Sequence, residues 1–312
     1  MHILITGAAG FLGQYLAKAL LQDEAVTALS LADVVPVPLP DDPRVQQLEL
    51  DITNADAVMN TIPKGIDATY HLAAVVSAGA EADFELGMRV NLEGTRNVLE
   101  ALRHTSTGSR IIFASSLAIY GGNLPDVITD MTAFTPQGSY GTQKAISELL
   151  VNDYSRKGYL DGLSLRLPTV SVRPGKPNKA ASSFASSIIR EPLFGQEAVC
   201  PVDPSLEVWL TSPEAVVASL KYALSVETTN LSYRGINIPG ITVTVQEMID
   251  ALEAVAGPEA RKHIRFERAP ELETLINSWP TRFETEIANH LGFPASNPFE
   301  ETVRTFMQNY VS

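Results

Sequence analysis

The run HILITGAAGFLG, residues 2–13, restricts the fold more than any other stretch of the chain. HILIT has the unbroken apolar character of a buried strand, and FLGQYLAKALLQ places Leu12, Leu16, Ala19 and Leu20 on one helical face. Between strand and helix fall glycines 7, 10 and 13. Gly7 permits the tight turn, Gly10 lets the backbone approach a pyrophosphate, and Gly13 lets the helix lie close to the sheet. Unpaired N–H groups and the dipole at the helix start, which Phe11 and Leu12 open, favour a negative group. Asp33 ends the next strand, 20 residues after Gly13. A carboxylate there accepts both hydroxyls of an adenosine ribose and repels a 2′-phosphate, so the expected cofactor is NAD rather than NADP. The plainer alternatives are an ordinary turn and a solvated acid at a strand end.

Strand and helix signals keep alternating: VTALSLAD, VQQLELD, DATYHLAAV, the helix RVNLEGTRNVLEALR, then RIIFASS. This pace predicts an α/β, Rossmann-type doubly wound parallel sheet over residues 1–167. Residues 168–312 are expected to form a smaller, mainly substrate-binding domain, with the chain returning to the first core around 212–240. Asp51 and Ile52 follow the third strand, where a side chain can approach the adenine. Leu72, Ala73 and Ala74 end the fourth in small or apolar residues that leave room for the cofactor backbone. His71 is read as structural, and no histidine, cysteine or carboxylate spacing suggests a metal.

Composition excludes several partners. The 312 residues carry a formal net charge of −13, which repels nucleic acid and anionic membrane. No apolar run reaches the ~20 residues of a membrane span. One cysteine, Cys200, and a start without a leader pattern suit a reducing cytoplasm.

The reacting groups are expected in two places. Ser115 and Ser116 end strand five at the carboxyl edge of the sheet, where open α/β folds bind ligands. In SYGTQKAISELLVNDY, Tyr140 and Lys144 are four apart and share a helix face. A phenol titrates near pH ~10, and lowering that by about three units takes about 4 kcal/mol. An ammonium roughly 4 Å away at intermediate dielectric supplies an energy of that order. Tyr140 is thus expected to be lowered by Lys144 and to act as base, with Ser116 holding the substrate oxygen. No nucleophile elbow surrounds either serine, so hydrolase chemistry is not supported.

TGAAGFLG, Asp33, LDIT, HLAA, NLEGT, SSLAIYG and YGTQK occur in an order and spacing that resembles the extended short-chain dehydrogenase/reductase family, the NAD-dependent epimerase/dehydratase group. The likeness covers roughly residues 1–170. It implies that Ser116, Tyr140 and Lys144 are the catalytic triad. Asn91 is implied to organise the neighbouring helix or a proton-relay water, and Pro168 of LRLPT to edge the turn over the nicotinamide. A homodimer joined through helices within 85–103 and 140–157 is implied as well.

Leu167 and Thr169 stand where nucleotide-sugar members of the family carry an aromatic residue and an asparagine. Later segments are similar to a branch that oxidises a four-carbon sugar acid. In that light RPGKPNKAASSF, with Arg173, Lys176 and Lys179, reads as the loop that meets a carboxylate. Arg173 comes first, because its planar fork matches the anion, and Lys179 second. Asn178, Ser182 and Ser77 are candidates for the substrate hydroxyls, and Lys176 is expected to face solvent. A solvated basic loop or an Arg–Asp pair is the plainer alternative. The expected reaction is hydride transfer from C2 of D-erythronate to NAD, giving a 2-oxo acid. A nucleotide-sugar epimerase or dehydratase is the runner-up, and a noncatalytic NAD sensor is disfavoured by the presence of Tyr140 and Lys144.

Overall fold

The computed structural model describes residues 1–38, 41–175 and 181–311. Strands β1 (His2–Thr6), β2 (Ala28–Asp33), β3 (Val45–Glu49), β4 (Ala68–His71), β5 (Arg110–Ser116) and β6 (Asp161–Leu167) pair in parallel. Three short strands, β7 (Thr169–Val170), β8 (Ala198–Cys200) and β9 (Glu207–Thr211), then leave this sheet, and β10 (Gly235–Asn237) returns to pair with β6. The order across the seven strands is β3-β2-β1-β4-β5-β6-β10. It reverses between β1 and β4, the crevice where open α/β sheets bind ligands.

The helices that cover the sheet are α1 (Phe11–Leu20), α2 (Ala55–Thr61), α3 (Ser77–Ala82), α4 (Phe84–Gly87), α5 (Thr95–Thr105) and α6 (Ser139–Arg156). Two more, α7 (Phe184–Leu193) and α8 (Pro213–Tyr222), follow the sixth strand. Side chains alternate across the sheet as a pleated strand requires. Ile3 and Ile5 of β1 pack with Leu16 and Leu20 of α1 and Val216 and Leu220 of α8, while Leu4 joins Phe113, Val98 and Leu102 on the other face. Both faces are covered, which explains why HILIT is apolar throughout rather than alternating. Each fully buried leucine contributes about 1.5–3 kcal/mol.

The stretch expected as one helix from Arg89 onward differs. Met88–Gly94 is π-helical and only then does α5 begin. Gly94 lies against Ile52, where an added Cβ would come within 2.7 Å of its Cδ1. The wider turn carries Asn91 into the interior, where it is 2% exposed. Single wide turns of this kind recur at functional sites.

Beyond β6 a second core forms. β7 and β9 are joined by β11 (Ile241–Thr244), and β8 pairs with β12 (Ile264–Phe266). Val172, Phe184, Ile188 and Ile189 pack there with Met248, Ile249 and Leu252 of α9 (Val245–Ala256). Thr244 and Glu247 close a capping box at the start of α9, satisfying two backbone donors that the helix leaves free. Trp209 stacks on Phe283 at 5.0 Å between ring centres, a packing contact. Among the described residues, no helix is long and apolar enough to cross a membrane, and no three metal-ligating side chains come together.

Candidate active site

The glycine loop is held where it is by close approach. Gly7 has φ +74°, and a Cβ on it would lie 2.6 Å from the Ala73 nitrogen, so the loop presses on the end of β4. A Cβ on Gly13 would collide with the Gly7 carbonyl. Gly10 is exposed and opens α1, which has no side-chain cap. The free end of a ten-residue helix beside an open glycine backbone fits a pyrophosphate. Asp33 Oδ2 accepts from the Ala9 N–H at 2.9 Å, which fixes the carboxylate at the rim of the same loop. Leu72, Ala73 and Ala74 lie partly buried beside it, and Pro168 is buried between β6 and β7. Asp51 is exposed and accepts from the Thr53 N–H at 2.9 Å, while Ile52 is buried beneath the π-helical turn. This arrangement fits a dinucleotide.

At the carboxyl edge, β5 and α6 bring Ser116, Tyr140 and Lys144 together. The Ser116 hydroxyl accepts from the Ala118 N–H at 3.1 Å and lies near enough to the Tyr140 phenol to lower its pKa. Lys144 Nζ donates to the Ala114 carbonyl at 2.8 Å and lies 5.7 Å from the centre of the Tyr140 ring. Ser115 has a different partner: its hydroxyl donates to Glu148 Oε2 at 2.7 Å, away from the phenol.

The charge of Lys144 does not lower Tyr140, contrary to the expectation from helical spacing. Burial pushes Tyr140 up to about 12, opposed by the nearby Ser116 hydroxyl and by the charge of Arg173 rather than that of Lys144. Burial brings Lys144 down to about 7. The cause is geometric, since the ammonium points to a backbone carbonyl of β5 and not to the phenol oxygen. Both groups therefore sit in neutral-favouring surroundings, and the charge that lowers the phenol comes from the second half of the chain.

His71 is structural, and its tautomer can be derived. Thr95 Oγ1 donates to the Asn91 carbonyl at 2.6 Å, so its proton is committed and it accepts from His71 Nε2–H at 2.9 Å. Nδ1 is then bare and accepts from the Thr6 hydroxyl at 2.6 Å. Burial, reinforced by the Lys144 charge, holds this imidazole at a pKa of about 3.

Asn91 is turned toward structure. Its Oδ1 accepts from Val75 N–H, and its Nδ2 donates to the Val75 carbonyl and to Gln143 Oε1 at 2.7 Å. Its own carbonyl accepts from Thr95 and Ser147, which occupies both lone pairs. Of the two roles implied for Asn91, organising the helix is the one its contacts match.

Arg173 follows β7, partly buried, and its side chain has no anionic partner among the described residues. Burial and the neighbouring Arg190 both push its pKa down. Arg190 supports it from α7 by donating to its carbonyl at 2.7 Å. Ser182 is partly buried in the short turn Ala181–Ser183, and Ser77 is exposed as the first residue of α3. Lys176, Asn178 and Lys179 lie outside the described residues.

Sequence reasoning missed Gln143, Arg190 and Glu81. Glu81 Oε2 accepts from the Ser139 N–H at 2.9 Å and so caps the helix that carries Tyr140. A carboxylate capping a helix 58 residues away leaves no local pattern to read.

Sheet order, glycine cradle and the serine–tyrosine–lysine cluster together define an enzyme of the nicotinamide-dinucleotide class. The chain belongs to the NAD-dependent epimerase/dehydratase family, whose model matches residues 3–209, and NAD is its cofactor. It is 48% identical over 312 residues to D-erythronate dehydrogenase of Haemophilus influenzae, covering 99% of each chain. It is likewise 48% identical to D-erythronate dehydrogenase of Cupriavidus necator, covering 99% of this chain and 98% of that one. Its fold matches a crystal structure of the nucleoside-diphosphate-sugar epimerase from Agrobacterium tumefaciens with TM-score 0.92, at 39% identity over 100% of this chain and 94% of the other.

Proposed function

We propose that the protein oxidises D-erythronate at C2 to the 2-oxo acid. The observation that carries this reading is the likeness to two D-erythronate dehydrogenases along both whole lengths, including the half beyond β6. NAD, when bound, accepts the hydride. Gly7, Gly10, Phe11, Leu12, Gly13 and Asp33 hold it, with Asp51, Ile52, Leu72–Ala74 and Pro168 around it. The Ser116 hydroxyl would hold the substrate oxygen against Tyr140, whose phenolate form takes the hydroxyl proton and becomes the phenol. Lys144 orders that side of the site, and Asn91 fixes the loop after β4 against α6.

Residues 168–312 supply the substrate contacts in this reading. Arg173 receives the carboxylate, supported by its burial without an anion among the described residues. Lys179 assists, and Ser77, Asn178 and Ser182 meet the hydroxyls. We also read the protein as a cytoplasmic homodimer joined through α5 and α6. Exposed Ile146 and Leu149 on α6 support that face.

The test is a panel of C4 to C6 sugar acids with NAD, followed by NADH absorbance, in which D-erythronate should give the highest kcat/KM. The likeness to the Agrobacterium epimerase favours a second reading, in which the hydride returns to a nucleotide sugar within one cycle. Purified protein that retains NAD and forms no NADH with any free acid would select it.

A further inference from the structure

Lys144 is a cation in a site that offers it little. It is 3% exposed. The nearest acid along its helix, Glu148, is committed to Arg166 at 2.7 Å. From β4 it faces the neutral His71, and from β5 the Ala114 carbonyl. Tyr140 lies one turn away on its own helix, and Arg173, beyond Tyr140, is a like charge. One carbonyl is a poor replacement for the hydration of an ammonium.

Two aromatic faces complete the surroundings. Nζ lies 4.6 Å from the centre of the Phe113 ring and 5.7 Å from that of Tyr140, both within the range where a ring quadrupole attracts a cation. Phe113 is fully buried on β5, paired in register with His71 of β4, and the two rings stack at 5.8 Å with planes 25° apart. The burial that keeps His71 neutral also keeps a second positive charge away from this ring.

We propose that Phe113 is a positioning residue for the reaction, its ring face holding the Lys144 ammonium charged and in place beside Tyr140 where no carboxylate does so. The inference rests on reading Tyr140 and Lys144 as the reacting pair, and its role is electrostatic rather than volume-filling. A leucine would fill much of the same space and lack the quadrupole.

The test replaces Phe113 in the full chain with phenylalanines carrying one, two and five ring fluorines, which progressively remove the negative face with small changes in size. The Lys144 side-chain resonance in lysine-labelled protein, assigned with Lys144→Arg, is titrated for each. The expected result is a Lys144 pKa that falls with every step, reaching about one unit for the five-fluorine ring, a tenfold change in the ammonium-to-amine ratio. Thermal stability should follow no such order. Activity relative to the unmodified protein should be close to one at pH 5.5 and fall toward about a tenth above pH 8.

If the five-fluorine variant fails to fold, the one- and two-fluorine steps still give the slope. A Lys144 pKa independent of fluorination, or a rate loss equal at every pH, overturns the inference and leaves Phe113 as packing. A pKa that follows fluorination in a protein inactive on D-erythronate upholds it and defeats only the substrate reading.

Discussion

Arg166 and Arg173 lie seven residues apart, at the two ends of the segment that leaves the main sheet, and they are opposites. Arg166 gives two hydrogen bonds to Glu148 Oε1, one to the Tyr120 hydroxyl and one to the Asp130 carbonyl. The rings of Tyr120, Phe134 and Tyr233 surround its guanidinium at 4.9–5.7 Å. Burial works against its charge, but Glu148 outweighs that and raises its pKa. Arg173 has no such shell among the described residues, and burial together with Arg190 lowers its pKa. A buried charge whose three nitrogens all find partners, a carboxylate among them, belongs to the scaffold. Arg173 is left unmatched among the described residues, beside a phenol, and the proposed reading gives it to the substrate carboxylate. Ser115 and Ser116 repeat the contrast in miniature: Ser115 pairs across the sheet with Arg166 and reaches the same Glu148, while Ser116 faces Tyr140.

The contrast can be broken most sharply at Tyr140, the group on which Arg173 acts. Tyr140→Phe should lower kcat by about 100- to 10,000-fold with NAD affinity and melting temperature unchanged. A collapse in stability would instead place the phenol with the scaffold. Arg166→Leu leaves Glu148 buried without its partner and should cost about 3–5 kcal/mol in urea unfolding. Adding Glu148→Leu should recover much of that loss. If the single variant is stable but inactive, Arg166 is not structural and the comparison fails.

A smaller effect is expected at the unmatched arginine. Arg173→Lys keeps the charge but loses the fork, and should raise KM for sugar acids about tenfold without lowering the melting temperature. An unchanged KM would return the loop to a solvated role.

Stability against pH should change as well. The folded Lys144, at about 7, lies below its ordinary 10.5, so burying it is penalised most below pH 7 and less as pH climbs through that window. Native stability should therefore rise from pH 7 toward 10 by this contribution. Lys144→Met should flatten it while raising the melting point most on the acid side. Melting curves from pH 6 to 10 decide the matter.

Local rules carried the first half of the chain far. Glycine positions, strand-to-helix alternation, Asp33 and the four-residue step from Tyr140 to Lys144 are short-range patterns, and each lies where its spacing implies. The helix expected from Arg89 was less legible, because a π-helical turn is made by what Gly94 and Asn91 pack against and not by periodicity. The charge on the phenol was misread for a related reason: helical spacing gives proximity, while the direction of an ammonium depends on the strand beneath it.

The amino-acid order on its own determined a dinucleotide fold with a tyrosine, a lysine and a serine at one edge, since turns, helix faces and strand ends are set by neighbours in sequence. Tertiary structure alone decided which arginine is matched, which tautomer His71 holds, and that Lys144 meets an aromatic face instead of an acid. Those outcomes depend on desolvation and on partners brought from distant strands, quantities that do not exist until the chain has closed on itself.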